Sequence, residues 1–95
     1  MNTLKAEKRD MSIKAKKLRR EGFVTGNLFG RELEDSIPLK FDKGEIEKLL
    51  KVENKGGQVM LEVAGETYDA LIKEVDYNPL KGYVDEIDFQ ALVST

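Results

Sequence analysis

The sequence predicts an α+β fold, a small closed antiparallel β-barrel of about six strands with two short helices. Three observations predict it. Short runs alternate apolar and polar side chains through most of the chain, the two-residue period of half-buried strands. Two other stretches carry helical spacing, and glycine follows each. A chain of 95 residues, 40% hydrophobic and 36% charged, supports one core with little apolar surface to spare, so one domain is expected over residues 1–95.

Thr3 to Arg9 alternates, with Leu4 and Ala6 facing in and Lys5 and Glu7 facing out, and reads as the first strand. Asp10 to Ile13 connects it to a helix for which Ser12 is the expected cap. Ile13 to Arg20 then makes about two helical turns. Lys16, Lys17, Arg19 and Arg20 cover most of its circumference, while Ala15 and Leu18 leave a narrow apolar seam. Gly22 stops it. A helix this short and cationic has to dock through Leu18 or be ordered by a ligand.

Phe23 to Phe29 reads as the second strand, in which Gly26 marks a bulge or a close approach by another backbone. Gly30 to Ser36 is a polar connection. Ile37, Leu39 and Phe41 alternate with Pro38 and Lys40; proline cannot donate to a ladder, so an edge strand is expected. Asp42 and Glu45 stand at capping-box spacing ahead of the helical stripe Ile46, Leu49 and Leu50. The stretch Asn54 to Gly57 ends that helix. Its glycine pair lacks the lysine and hydroxyl of a phosphate loop and reads as a turn.

Val59, Leu61 and Val63 alternate in the next strand. Ala64 and Gly65 turn the chain into a long strand from Glu66 to Tyr77, with Tyr68, Ala70 and Ile72 on one face. Asn78 to Gly82 is a turn built on Pro79. Ile87, Phe89, Ala91 and Val93 alternate in the last strand and send Glu86, Asp88 and Gln90 to the other face.

The net charge of −2 hides an asymmetry. Residues 1–20 hold eight Lys or Arg against two acids, a net +6; residues 21–95 hold eight against sixteen, a net −8. The dense cluster runs from Lys14 to Arg20. It reads either as a polyanion-binding arm on an acidic body or as a solvated helix face that balances acids elsewhere. The chain has no cysteine and no histidine, which removes thiolate chemistry, disulfides and the commonest general base and metal ligand. Glu86 and Asp88 read as a solvated strand face among many acids, and Phe29, Tyr68 and Tyr77 as core or barrel rim. No motif supports an enzyme, and no cofactor or small-molecule substrate is expected. An N-terminus without a signal-peptide run and the lack of a membrane-length apolar stretch point to a cytoplasmic protein with no membrane partner.

These residues bear a resemblance. Ala6, Glu7 and Arg9 in the first strand, the run from Lys16 through Leu18 to Gly22, the pair Phe29 and Gly30, and the closing Pro79 with Ile87, Asp88 and Phe89 resemble the bacterial large-subunit ribosomal protein twenty-five family. That family includes the longer general stress protein CTC. The resemblance covers nearly the whole chain, in the short single-domain form. It implies a six-stranded barrel set against 5S rRNA in the large ribosomal subunit, with the free protein monomeric. Carried onto matching positions, it nominates Arg9, Lys14, Lys16, Lys17, Arg19 and Arg20 for the RNA backbone, and Phe29, Lys73 and Asp88 for the groove. Helical cations supply affinity and register, and a wide RNA minor groove is read by shape and 2′-hydroxyls.

Several positions depart from the family pattern. Asn78 and Glu86 stand where histidine is usual, Lys73 at a glutamine-like position, and Phe29 where tyrosine carries a hydroxyl. Glu86 shares a face with Asp88, so two carboxylates would approach phosphates, with Lys73 the expected partner across the strand pair. The reading is therefore an intact positioning half and an altered groove-reading half. The alternative is a diverged paralogue that keeps the barrel as a protein-interaction or stress-related module without specific 5S rRNA binding.

Overall fold

The computed structural model describes residues 2–30, 33, 35–80 and 82–92. In chain order the elements are β1 (Asn2–Lys8), α1 (Ala15–Arg20), β2 (Phe23–Phe29), β3 (Ile37–Asp42), α2 (Lys43–Val52), β4 (Gln58–Val63), β5 (Glu66–Tyr77) and β6 (Val84–Ala91). Val93, expected in the last strand, and Arg31, Glu32 and Glu34 of the polar connection lie outside the described residues. Among the described residues no helix is long and apolar enough to cross a membrane.

The strands close into a barrel in the order β1-β3-β2-β6-β5-β4. Closure of six strands with two helices matches the expected fold class, but the sheet is mixed. The β1–β4 and β2–β6 seams are parallel, and the other four pairings are antiparallel. Parallel neighbours need long connections, so these seams join strands far apart in sequence that no hairpin signal marks.

Alternation fills the interior. Leu4, Val24, Leu28, Leu39, Phe41, Val59, Leu61, Ile72, Ile87 and Phe89 are all buried in one cluster. At its centre the Phe41 and Phe89 rings meet in a tilted pair, centroids 5.4 Å apart. Helix α2 lays Ile46 and Leu49 on this core and touches β1, β2, β3 and β6, so it covers one end of the barrel. Its cap is Asp42, whose Oδ1 accepts from the Glu45 N–H at 3.2 Å.

Pro38 is not on an edge, because β3 pairs with both β1 and β2. Its carbonyl accepts from Arg9 N–H at 3.0 Å, so its donorless nitrogen faces the same way, past the last residue of β1. The missing donor therefore falls at the end of the β1–β3 ladder, beyond its last pair, Lys8 with Leu39. Gly26 fulfils the expected close approach: a Cβ on it would overlap the Ile87 carbonyl oxygen across the β2–β6 seam. The β4–β5 turn holds Ala64 at φ 49° and Gly65 at φ 83°, the double left-handed conformation of a two-residue hairpin.

Candidate nucleic-acid interface

The basic helix hangs on the outside of this barrel. Its start differs from expectation. Ser12 is not the cap: its N–H and Oγ both donate to Asp10 Oδ1, at 2.9 and 2.7 Å, which closes a tight turn. These bonds, the hydroxyl's first, hold the Asp10 carboxyl below its ordinary pKa of 3.8. Lys14 takes the cap position without a side-chain hydrogen bond, and α1 runs only over Ala15–Arg20. Glycine ends it as expected, with Gly22 at φ 95° and its N–H bonded to the Arg19 carbonyl at 3.2 Å.

Helix α1 buries one side chain, Leu18, which rests against β2 and lies outside the central core. Lys14, Lys16, Lys17 and Arg20 are exposed, and none forms an ion pair with a described residue. With Ser12 and Ile13 these four line a shallow depression. Arg9 borders it, since its Nη2 donates to the Ile13 carbonyl at 3.4 Å while its Nε is buried without a partner. Like charges brought together on a surface and left without ion-pair partners create a positive potential that attracts polyanions.

Arg19 behaves differently from its neighbours. Its Nε donates to the Asp85 carbonyl at 3.2 Å and its Nη2 to Thr25 Oγ1 at 3.3 Å, while Nη2 also lies 3.8 Å from Glu86 Oε2. Thr25 is fully buried beneath it. So Arg19, not Lys73, is the basic partner of Glu86. Lys73 cannot serve, because the β5–β6 register sets Asp76 opposite Glu86 and leaves Lys73 as an extra residue between Ile72 and Glu74.

Below Arg19 the outer face of the β2–β6 seam carries Thr25, Asn27 and Phe29 from one strand and Glu86, Asp88 and Gln90 from the other. Thr25 pairs with Glu86 and Phe29 with Gln90. Phe29 is half-buried. Asp88 Oδ1 accepts the Asn27 backbone N–H at 3.1 Å, so one of its oxygens already serves the fold. Across β5–β6, Glu74 faces Asp88 and Asp76 faces Glu86, like charges directly opposite each other. Lys55 relieves part of this by pairing with Glu74 at 2.9 Å.

The structure thus gathers Arg9, Lys14, Lys16, Lys17 and Arg20 about α1, turns Arg19 inward, places Phe29 and Asp88 down the adjoining seam, and sets Lys73 apart on β5. Sequence reasoning missed Thr25 and the Asp85 carbonyl as Arg19 acceptors. Thr25 was legible by alternation, on the same face of its strand as Asn27 and Phe29. Asp85 was not, because it is the extra residue of a bulge: Val84 pairs with Tyr77 and Glu86 with Asp76.

The protein is a closed barrel with a charged outer face, and among its described residues no carboxylate cluster is suited to a metal. It is a small β-barrel domain with a cationic helix clasped to one seam. The chain belongs to the Ribosomal L25p family, which it matches over residues 4–89, a family of ribosomal proteins and not of enzymes. It is 34% identical over 89 residues to the large ribosomal subunit protein bL25 of Caldanaerobacter subterraneus subsp. tengcongensis, covering 93% of this chain and 45% of that protein. It is 31% identical over 94 residues to the large ribosomal subunit protein bL25 of Bacillus licheniformis, 97% of this chain and 45% of that one. The general stress protein Ctc of Bacillus subtilis is 30% identical over 94 residues, 97% of this chain and 46% of its own length. The chain spans just under half the length of these relatives.

Proposed function

We propose that this chain is a large-subunit ribosomal protein that binds 5S rRNA, with α1 and its connector against the RNA backbone. The observation that carries the reading is the set of four exposed cations, Lys14, Lys16, Lys17 and Arg20, without acid partners among the described residues of a chain whose net charge is −2. These four take phosphates, with Arg9 beside them. Four or five such contacts give a log–log salt slope of roughly −3 to −4, at about 0.7–0.9 per phosphate. Phe29 and the seam below it approach the minor groove, where shape and 2′-hydroxyls are read. Anisotropy titrations of 5S rRNA and of an unrelated hairpin at two salt concentrations test this. Binding no tighter to 5S rRNA than to the hairpin sinks the reading.

One observation favours a second reading, a family member that has left the ribosome. The facing acids Glu74 with Asp88 and Asp76 with Glu86 put negative charge where an RNA groove would lie. Such a protein would use the barrel for protein contacts. Stoichiometric co-sedimentation of the endogenous protein with large subunits rules it out.

A further inference from the structure

The side chain of Arg19 sits in the middle of a cationic cluster yet points into the protein. We propose that Arg19 is a positioning residue: a clasp that fixes the orientation of α1 on the barrel and so sets the register of its neighbours' cations, instead of itself contacting a phosphate. The proposal rests on the RNA-binding reading above.

A six-residue helix has no stability of its own and needs tertiary anchors. Leu18 supplies one, but a single buried side chain is a pivot about which the helix can turn. Arg19 supplies the second anchor, and it reaches two strands at once. On β2 it donates to Thr25 Oγ1; on β6 it donates to the Asp85 carbonyl and faces the Glu86 carboxylate. The Asp85 carbonyl is available because Asp85 is the extra residue of the β6 bulge, outside the register with β5. Asn78 Nδ2 donates to Asp85 Oδ2 at 3.2 Å and steadies that bulge from the β5–β6 turn. Lys16 and Arg20 border the same hollow as Arg19, Asn78 and Asp85, so a turn of the helix would move both.

The chemistry of the fork makes this testable. A guanidinium presents several donors in a fixed plane, whereas an ammonium is a compact point charge that binds phosphate well but cannot span Asp85, Thr25 and Glu86 together. Arg19→Lys therefore separates the two roles, because it keeps the charge and removes the clasp. Salt-dependent titrations against 5S rRNA should give Arg19→Lys a slope shallower than that of the parent by about 1.5, roughly two phosphates' worth. Lys51→Arg, an exposed cation on α2 away from the proposed RNA surface, is the control and should leave the slope unchanged. Thr25→Val removes one acceptor without touching any charge and should shift the slope in the same direction by less. An Arg19→Lys variant whose affinity and slope equal the parent's overturns the proposal, since a phosphate contact tolerates that exchange.

Failure of the RNA reading is distinguishable. If the parent protein does not prefer 5S rRNA, amide exchange in the free protein still tests the clasp. Arg19→Lys should then speed exchange at Glu21 and Gly22, whose N–H groups close the end of α1, while strand amides keep their rates. Unchanged exchange at both amides overturns the clasp.

Discussion

The backbone N–H of Asn27 donates to a side-chain oxygen of Asp88, at 3.1 Å, in the middle of a β-ladder. The β2–β6 register pairs Thr25 with Glu86 and resumes with Leu28 and Phe89; between them the strands are in contact at Gly26 and Ile87. The Asp88 carboxylate fills the gap as a substitute acceptor, so a side chain nominated for RNA contact already serves the architecture of the barrel. Asp88→Ala should destabilise by about 1–3 kcal/mol, because it strands a part-buried donor. Asp88→Asn keeps a carbonyl oxygen at the same reach and should cost less than half of that. Urea denaturation of both variants measures the difference.

Gly26 tolerates no side chain. A methyl group there meets the Ile87 carbonyl oxygen, and Phe41 stands close behind. Backbone cannot step aside as a flexible side chain can, so the β2–β6 seam has to spread. Gly26→Ala should lose about 3 kcal/mol, at the upper end of overpacking costs. The denaturation midpoint should fall with an unchanged m-value.

Exposed cations on α1 should matter for RNA and hardly at all for folding. Lys16→Ala and Lys17→Ala each remove a solvated charge with no ion pair among the described residues. Unfolding free energies should stay within about 0.5 kcal/mol of the parent's. Each variant should make the salt slope of 5S rRNA binding shallower by about 0.7–0.9, uniformly across RNA sequences. A titration series in potassium chloride reads both affinity and slope.

The turn leading into α1 carries its own pH signature. Ser12 holds the Asp10 carboxyl below 3.8, through its hydroxyl first and its backbone N–H second. A group depressed in the folded state stabilises fully above its unfolded value, and that contribution is lost as pH falls through the lower folded value. Nuclear magnetic resonance titration of Asp10 should therefore show a midpoint below 3.8, and Ser12→Ala should raise it towards that value. At pH 7 the carboxylate is ionised in both proteins, so neither charge nor RNA binding at that pH should track this midpoint.

Much of this protein is legible in its residue order. Alternation at Leu4 and Ala6, at Leu39 and Phe41, and at Ile87 and Phe89 names the faces that fill the barrel. Asp42 announces the cap of α2, Gly22 the end of α1, and Ala64 with Gly65 the β4–β5 turn. The run from Lys14 to Arg20 marks a dense cationic stretch in an acidic chain. All of these are local signals, carried by side-chain period or by the conformational limits of single residues. Tertiary structure alone decided the parallel seams β1–β4 and β2–β6, because they join segments with no sequence proximity. It also decided the site. One extra residue on each of β5 and β6 moved Lys73 away from Glu86 and freed the Asp85 carbonyl, and a one-residue shift leaves no trace in composition. Five of the nominated cations border one outer surface, while Arg19, chemically the same as Arg20, turned inward because three acceptors from two strands converge where its guanidinium reaches.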